Sequence, residues 1–290
     1  MYRLASLVVV VFVLVSAPPS SAAFPGANGR IALMRANQVY TVRADGTGLT
    51  KLTSTGRNAR PSWSPDGTRI AFQRCCRRGK WTQVWVMNAN GGGQTNLSRS
   101  NTNDSAPSFY PDGRIVFVRN GAIWRMNADG SGKQRVKAPP AGFSDDRPKV
   151  SPDGTKILFQ RCCWAIPGGP PEGGAQVFAM NADGTAVTNL SRTAGVTGDY
   201  WPDWSPTGTR VVFIRADLIH PDSMFAMDVS GANQAQVSTI NAAAPVYSPD
   251  GTMIAFESYP SQGRIDRIPA GGGPATPITA GFQPSWQPVT

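Results

Sequence analysis

The sequence predicts an all-β fold: a six-bladed β-propeller of four-stranded antiparallel blades, closed by pairing of its N- and C-terminal strands. Three observations predict it. A motif recurs at intervals typical of propeller blades, turn residues occupy fixed places in each copy, and both ends of the chain carry incomplete copies. Only 16% of the residues are charged, which argues against a disordered chain.

The first element of the chain reads as an export signal. Arg3 precedes an apolar run over residues 4–15, and the small residues Ser21 and Ala23 come before a candidate cleavage point. The run is shorter than the roughly 20 residues that span a bilayer. We therefore expect a secretory signal peptide over 1–23, a propeller over 24–290, no transmembrane span in the mature chain, and a secreted or periplasmic location.

A proline-bounded motif then organises the chain. Its first prolines are separated by 46, 41, 54, 43 and 39 residues, which suits four-stranded blades and not helical repeats. Five full copies and one truncated copy lie at residues 61–67, 107–113, 148–154, 202–208, 245–251 and 284–288.

Turn chemistry predicts the strands within each copy. Ser64-Pro65-Asp66-Gly67 suits a type I turn between the first and second strands. Residues 127–130, Asn-Ala-Asp-Gly, suit a hairpin turn between the third and fourth strands. The third residue of the motif is bulky in every copy, so we expect it to pack between blades.

The two ends of the chain are expected to share one blade. Residues 28–33 match residues 112–117, so the N-terminal copy begins at a second strand and lacks its own first strand. Residues 284–288 supply that strand, and together with residues 28–53 they complete the sixth blade. Such closure would leave no open sheet edge.

These segments resemble the WD-like repeats of the TolB-type β-propeller family. The resemblance covers residues 28–288 and rests on the Trp-Ser-Pro-Asp-Gly, Arg-Ile-Ala-Phe and Met-Asn-Ala-Asp-Gly segments. It implies a six-bladed propeller of the bacterial envelope with a non-enzymatic role as a partner of other envelope proteins. The additional α/β domain that precedes the propeller in TolB is not expected here.

The two rims of the propeller differ in sequence. The turn rim carries the uniform Pro-Asp-Gly and Ala-Asp-Gly turns. The insertion rim carries the longer connections 74–82, 161–175 and 216–222 and the crossovers 138–147 and 192–201. Arginine with exposed aromatic residues is typical of protein interfaces. The candidate partner-binding residues on the insertion rim are Arg74, Arg77, Arg78, Trp81, Arg161, Trp164, Tyr200 and Trp201. The alternative is that these aromatic residues pack the loops onto the blades and the arginines are solvated.

All four cysteines lie in two matching segments at the insertion rim, Cys75-Cys76 and Cys162-Cys163. In an exported protein an even count favours disulfides. Two vicinal bridges, bridges joining the two insertions across the third blade, and free thiols or a thiolate metal site all remain open.

The sequence favours a binding protein over an enzyme. His220 is the only histidine, so a histidine-based metal cluster is excluded, and we expect no catalytic residues, no metal and no cofactor. The net charge of +10 is not gathered into a recognised nucleic-acid module, so we expect a monomer that binds a protein partner and no specific nucleic acid. Alternatives are an extracellular propeller enzyme of the carbohydrate lyase or lactonase type, or a binder of an anionic envelope polymer.

Overall fold

The structure is a computed structural model that describes residues 24–75, 80–163, 174–193, 198–216, 222–259 and 263–289. The described residues form 24 strands in six four-stranded antiparallel sheets. Each sheet is one blade, so the six-bladed β-propeller predicted from the repeats is confirmed.

The strands are numbered in chain order. Blade 1 contains β1 (Ala27–Arg35), β2 (Gln38–Val42), β3 (Thr50–Lys51) and β24 (Phe282–Val289). Blade 2 contains β4 (Arg57–Trp63), β5 (Arg69–Cys75), β6 (Gln83–Asn88) and β7 (Thr95–Asn96). Blade 3 contains β8 (Asp104–Phe109), β9 (Ile115–Arg119), β10 (Ala122–Met126) and β11 (Gln134–Lys137).

The other three blades repeat this order. Blade 4 contains β12 (Phe143–Val150), β13 (Lys156–Cys163), β14 (Gln176–Asn181) and β15 (Thr188–Asn189). Blade 5 contains β16 (Gly198–Trp204), β17 (Arg210–Ala216), β18 (Ser223–Asp228) and β19 (Ala235–Ser238). Blade 6 contains β20 (Ala242–Tyr247), β21 (Met253–Ser258), β22 (Arg264–Pro269) and β23 (Thr276–Ala280).

The ring is closed by the two ends of the chain, as the sequence predicts. Strand β24 is the inner strand of blade 1 and pairs antiparallel with β1. The register places Ile31 opposite Trp286 and Met34 opposite Phe282.

The described part of the chain contains no helix with the length and apolarity needed to cross a bilayer.

The Ser-Pro-Asp-Gly turns join the inner strands to the second strands by a repeated set of hydrogen bonds. The Ser64 hydroxyl donates to Asp66 Oδ1 at 2.6 Å and accepts from the Arg69 N–H at 2.9 Å. Gly67 adopts φ +64°, and a Cβ there would lie 2.2 Å from the Pro288 carbonyl oxygen, so only glycine fits. The turn therefore fixes the hairpin and its approach to the neighbouring blade.

The cores lie between adjacent blades. The bulky third residue of the motif is buried at every copy, with between 1% and 7% of its surface exposed, as predicted for packing between blades. These residues are Trp63, Phe109, Val150, Trp204, Tyr247 and Trp286. Since each blade is covered on both faces, its second strand is apolar at successive positions, for example Ile70, Ala71 and Phe72 in β5.

Candidate functional site

The residue before each repeated proline enters the central channel through a β-bulge. In β4 the register shifts between Ala59 and Ser62, so that Arg60 and Pro61 oppose a single residue of β5. A bulge re-aims the side chain of its extra residue. The same shift occurs in every inner strand, and the residues that it places on the channel wall are Arg60, Ala106, Arg147, Trp201, Ala244 and Gln283.

These six residues all adopt a left-handed backbone conformation, with φ between 48° and 57°. That conformation is uncommon for residues other than glycine, and a following proline favours an extended one instead. Side chains of neighbouring blades fix it: Gln73 Oε1 accepts from the Ala106 N–H at 3.2 Å, and Gln160 Oε1 accepts from the Trp201 N–H at 3.2 Å. We call the end of the channel that this ring surrounds, on the insertion-rim side, the channel mouth.

Two arginines and Lys149 line the channel mouth. Arg60 Nη1 lies 2.8 Å from Asp146 Oδ1, which forms a direct ion pair. The Arg147 guanidinium lies over Trp201, with Cζ 3.0 Å from the ring centroid, and its Nε is 3.7 Å from Asp146 Oδ2. Burial, and then the nearby Arg60, hold the pKa of Arg147 below its ordinary value, but an arginine stays charged at neutral pH. Burial alone would raise the pKa of Asp146, yet Arg60 and Arg147 bring it below its usual range.

A buried carboxylate lies on the other side of the mouth. Glu257 is 3% exposed and accepts hydrogen bonds from the Tyr259 hydroxyl and, at 3.3 Å, from the Gln283 N–H. Burial raises the pKa of Glu257. Burial, followed by the hydrogen bond to Glu257, raises the pKa of Tyr259. Both oxygens of this carboxylate thus have partners within the mouth.

An ion pair and an aromatic side chain line the channel below the mouth. Lys149 Nζ lies 3.5 Å from Asp203 Oδ1, so an ion pair joins the inner strands of blades 4 and 5. Burial raises the pKa of Asp203, although Lys149 and the Tyr247 N–H oppose that shift. Phe24 lines the lower part of the channel toward the turn rim. The two ends of the channel therefore differ: the mouth faces the insertion rim, and Phe24 lies toward the turn rim.

The free space at this rim has two parts. The cavity within the mouth has a volume of about 70 Å³, which holds a small polar group or a few waters. A larger groove of about 520 Å³ runs over blade 3, where the connection between β9 and β10 is short. Arg60 lines both spaces, so the groove and the mouth are adjacent. This blade-3 groove is lined by Val118, by the carboxylates of Asp145 and Asp146, and by amide and hydroxyl side chains: Gln73, Thr82, Asn103, Ser105, Asn120 and Ser144.

Exposed aromatic residues lie around the same rim. Trp81 is 41% exposed, Phe143 is 36% exposed and Tyr259 is 46% exposed. All three lie where strands meet the insertion rim, at the starts or ends of β6, β12 and β21. Exposed aromatic residues beside arginines provide the side chains that carry most binding energy at protein interfaces.

Two of the predicted partner-binding residues are engaged inside the blades. Arg161 is buried and forks onto Asp145, with Nε 2.6 Å from Oδ1 and Nη2 2.8 Å from Oδ2. Arg74 lies over Trp85, with Cζ 4.4 Å from the ring centroid, and donates to Asn58 Oδ1 at 2.6 Å. These contacts place both guanidiniums in the framework that holds the rim.

The other six predicted partner-binding residues lie in different places. Trp81 is exposed on the rim, and Trp201 lies on the wall of the mouth. Tyr200 precedes Trp201 in β16 and is partly buried. Arg77, Arg78 and Trp164 lie outside the described residues.

The cysteine pairs flank blade 3 at the insertion rim. Cys75 ends β5 opposite Arg57, and Cys162 pairs with Ser144 in blade 4. Cys76 and the side chain of Cys163 lie outside the described part of the chain, so the disulfide pattern stays a prediction. His220 also lies outside it. Among the residues that are described, no group of three or more His, Cys, Asp or Glu side chains is placed to hold a metal ion.

The sequence did not single out Arg60, Asp146, Arg147, Glu257 or Gln283 as candidate binding residues. The usable signal was the position before the repeated proline, which reads Arg, Ala, Arg, Trp, Ala and Gln while the proline itself recurs in every copy. At this position the fold requires a particular backbone conformation, and the side chain is free to vary.

The fold and the channel mouth define a class of protein: a six-bladed β-propeller whose charged and aromatic residues gather at one end of the central channel. Residues 26–163 match the family model described as the TolB beta propeller domain. This match covers a little under half of the chain, and it confirms the resemblance to TolB-type β-propellers that the repeats predicted.

Relatives in sequence and structure agree with this family. TolB from Acinetobacter baumannii superimposes with a TM-score of 0.74 at 19% identity, covering 90% of this chain and 67% of that one. An uncharacterised protein of Agrobacterium fabrum is 29% identical over 159 residues, 53% of each chain. The Tol-Pal system protein TolB of Geobacter sulfurreducens is 36% identical over 74 residues, 26% of this chain and 17% of that one. The sequence matches thus span about half or less of these curated relatives.

Proposed function

We propose that this chain is an exported, non-enzymatic β-propeller that binds a protein partner of the cell envelope or extracellular space. The observation that carries the proposal is the channel mouth, where Arg147 lies over Trp201 beside an open groove. A rigid ring of blades presents this surface with little loss of conformational freedom on binding, which favours affinity.

Two further features support a protein as the partner. The rim around the mouth exposes Trp81, Phe143 and Tyr259, which offer large contact areas to another protein. The relative in Geobacter sulfurreducens is named for the Tol-Pal system, in which a TolB-like chain acts alongside other proteins. The apolar run over residues 4–15 and the small residues before position 24 support export, and we propose cleavage near Ala23.

The test is affinity capture with a matched pair of rim variants. Purified protein is immobilised and exposed to the envelope fraction and the culture medium of the source bacterium. A captured protein is identified, purified and titrated against the wild type and the variants. We expect Trp81→Ala with Phe143→Ala to weaken binding by roughly tenfold or more, because truncating an interface aromatic costs about 1 to 2 kcal/mol or more.

Leu49→Ala is the control, because Leu49 is 38% exposed but lies between β2 and β3 on the turn rim. It should bind like the wild type. Equal binding by the rim variant and the wild type would refute the rim as the interface. A steep fall in binding with salt, together with capture of polysaccharide or another polyanion in place of a protein, would favour an anionic polymer instead.

A further inference from the structure

An arrangement of an arginine, aromatic rings and an aspartate repeats inside the blades. In three blades an arginine at the end of the second strand stacks on aromatic rings and forks onto a fully buried aspartate. The pairs are Arg119 with Asp104, Arg161 with Asp145 and Arg215 with Asp199. Each guanidinium also lies within 4.7 to 5.4 Å of two ring centroids.

Arg147 also lies over an aromatic ring, but no carboxylate forks onto it. Its Cζ is 3.0 Å from the centroid of the Trp201 ring, and its buried Nε has no hydrogen-bond acceptor among the described residues. Asp146 is the nearest carboxylate, and at 3.7 Å from Nε it is engaged by Arg60 at 2.8 Å. A buried donor without an acceptor is costly, typically by about 1 to 3 kcal/mol.

The surrounding charges leave Arg147 as the group that needs an anion. Arg60 and Asp146 neutralise each other directly. Glu257 attracts Arg147 at longer range, but its oxygens accept from Tyr259 and Gln283. The Arg147 side chain is 17% exposed and lines a cavity of about 70 Å³, which is large enough to admit a carboxylate.

We infer that the channel mouth binds a carboxylate side chain, aspartate or glutamate, of an extended polypeptide, with Arg147 as the residue that receives it on the Trp201 ring. The inference deepens the proposed function and rests on it for the partner being a protein. The carboxylate would complete at Arg147 the fork that Asp104, Asp145 and Asp199 complete within their blades.

The blade-3 groove accounts for the rest of the peptide. Its amide side chains, among them Gln73, Asn103 and Asn120, suit the N–H and carbonyl groups of an extended main chain. The two carboxylates that also line it, Asp145 and Asp146, are ion-paired with Arg161 and Arg60. The groove and the mouth share Arg60, so a chain lying in the groove can direct one side chain to Arg147. Carboxylate is favoured over phosphate because three of the four described second-strand arginines that lie over two rings fork onto an aspartate. The fourth, Arg74, donates to Asn58 instead.

The test uses two short synthetic peptides of equal length, oligo-glutamate and oligo-glutamine, titrated into the purified chain by calorimetry at physiological ionic strength. We expect oligo-glutamate to bind and oligo-glutamine to bind at least tenfold more weakly. Arg147→Gln should weaken oligo-glutamate binding roughly 10- to 100-fold, because a charge-assisted fork contributes about 1.5 to 3 kcal/mol. Arg147→Lys keeps the charge but loses the fork, and should fall between the wild type and Arg147→Gln.

Arg192→Gln is the matched control, since Arg192 is an exposed arginine of the same rim and the net charge changes equally. Its affinity should stay within about twofold of the wild type, because an exposed charge away from the mouth contributes little. A second readout does not depend on the arginine variants: oligo-glutamate should change the tryptophan fluorescence of the wild type and not that of Trp201→Phe.

Several results would overturn the inference. They are equal binding of the two peptides, no binding of either, equal losses for Arg147→Gln and Arg192→Gln, or inorganic phosphate displacing oligo-glutamate at similar concentrations. The last result would make the mouth a general anion site. The rim proposal and this inference can fail separately. The Trp81→Ala, Phe143→Ala variant can lose partner capture while it still binds oligo-glutamate, and Arg147→Gln can lose oligo-glutamate binding while it still captures the partner.

Discussion

At the scale of single residues, buried arginine–aspartate pairs hold the edge of the propeller from which the insertions leave. Arg161 satisfies both oxygens of Asp145, whose side chain has no exposure to solvent. Burial raises the pKa of Asp145, while the hydrogen bonds from Arg161 oppose that shift. Phe159 and Phe178 cover the guanidinium. The pair therefore fixes β12 to β13 where they reach the rim.

Replacing Arg161 by methionine should lower the free energy of unfolding by about 3 to 5 kcal/mol. The cost arises because the carboxylate of Asp145 stays buried after its partner is removed. Denaturant unfolding of Arg161→Met against the wild type measures it. Arg192→Met, which changes an exposed arginine, is the control and should cost less than about 0.5 kcal/mol. Similar losses for the two variants would show that the buried pair has no special stabilising role.

At the scale of elements, three blades join their inner and second strands by a Ser-Pro-Asp-Gly turn. Three turns use the same contacts: the serine hydroxyl donates to the aspartate in the pairs Ser64–Asp66, Ser151–Asp153 and Ser248–Asp250. The N–H of the threonine two residues after each aspartate donates to the same carboxylate. Partial burial opposes the effect, but the hydrogen bonds hold the pKa of each aspartate below its usual value.

These turns predict a loss of stability in acid. Because the carboxyl pKa is lower in the folded chain than the roughly 3.9 of an unfolded one, the turns stabilise the fold above about pH 4. That contribution disappears as the pH falls through the folded-state values. The triple variant Asp66→Asn, Asp153→Asn, Asp250→Asn should be less stable than the wild type at pH 6 and lose less stability between pH 6 and pH 3. Urea midpoints across that range test this, and parallel curves for the two proteins would contradict it.

At the scale of the whole molecule, the fold was predictable from the sequence, but the contacts that form the channel mouth were not. Proline, aspartate and glycine recur at positions where the backbone permits little else, so the blade count and the closure followed from the sequence. The channel mouth depends on residues far apart in the chain, such as Arg60 with Asp146 and Glu257 with Gln283, that only the ring brings together. Counting arginines on the rim could not show that Arg161 faces Asp145 while Arg147 has no such partner.

Ring closure provides the last prediction. Strand β24 pairs with β1, its Trp286 is 6% exposed, and Ser285 Oγ accepts from the Trp63 N–H of the next blade at 3.3 Å. Deleting residues 283–290 removes these contacts and opens a sheet edge in blade 1, so the melting temperature should fall further than in any single-residue variant.

Trp286→Ala keeps the strand but removes its largest buried side chain, which should lower the melting temperature by roughly 6 to 20 °C. Val289→Ala, at a residue that is 44% exposed, is the control and should melt close to the wild type. Calorimetry measures the melting temperatures of the wild type and the three variants. If the terminal strands close the ring, the deletion has the lowest melting temperature. A deletion that melts cooperatively at the wild-type temperature would mean that the ring holds without β24.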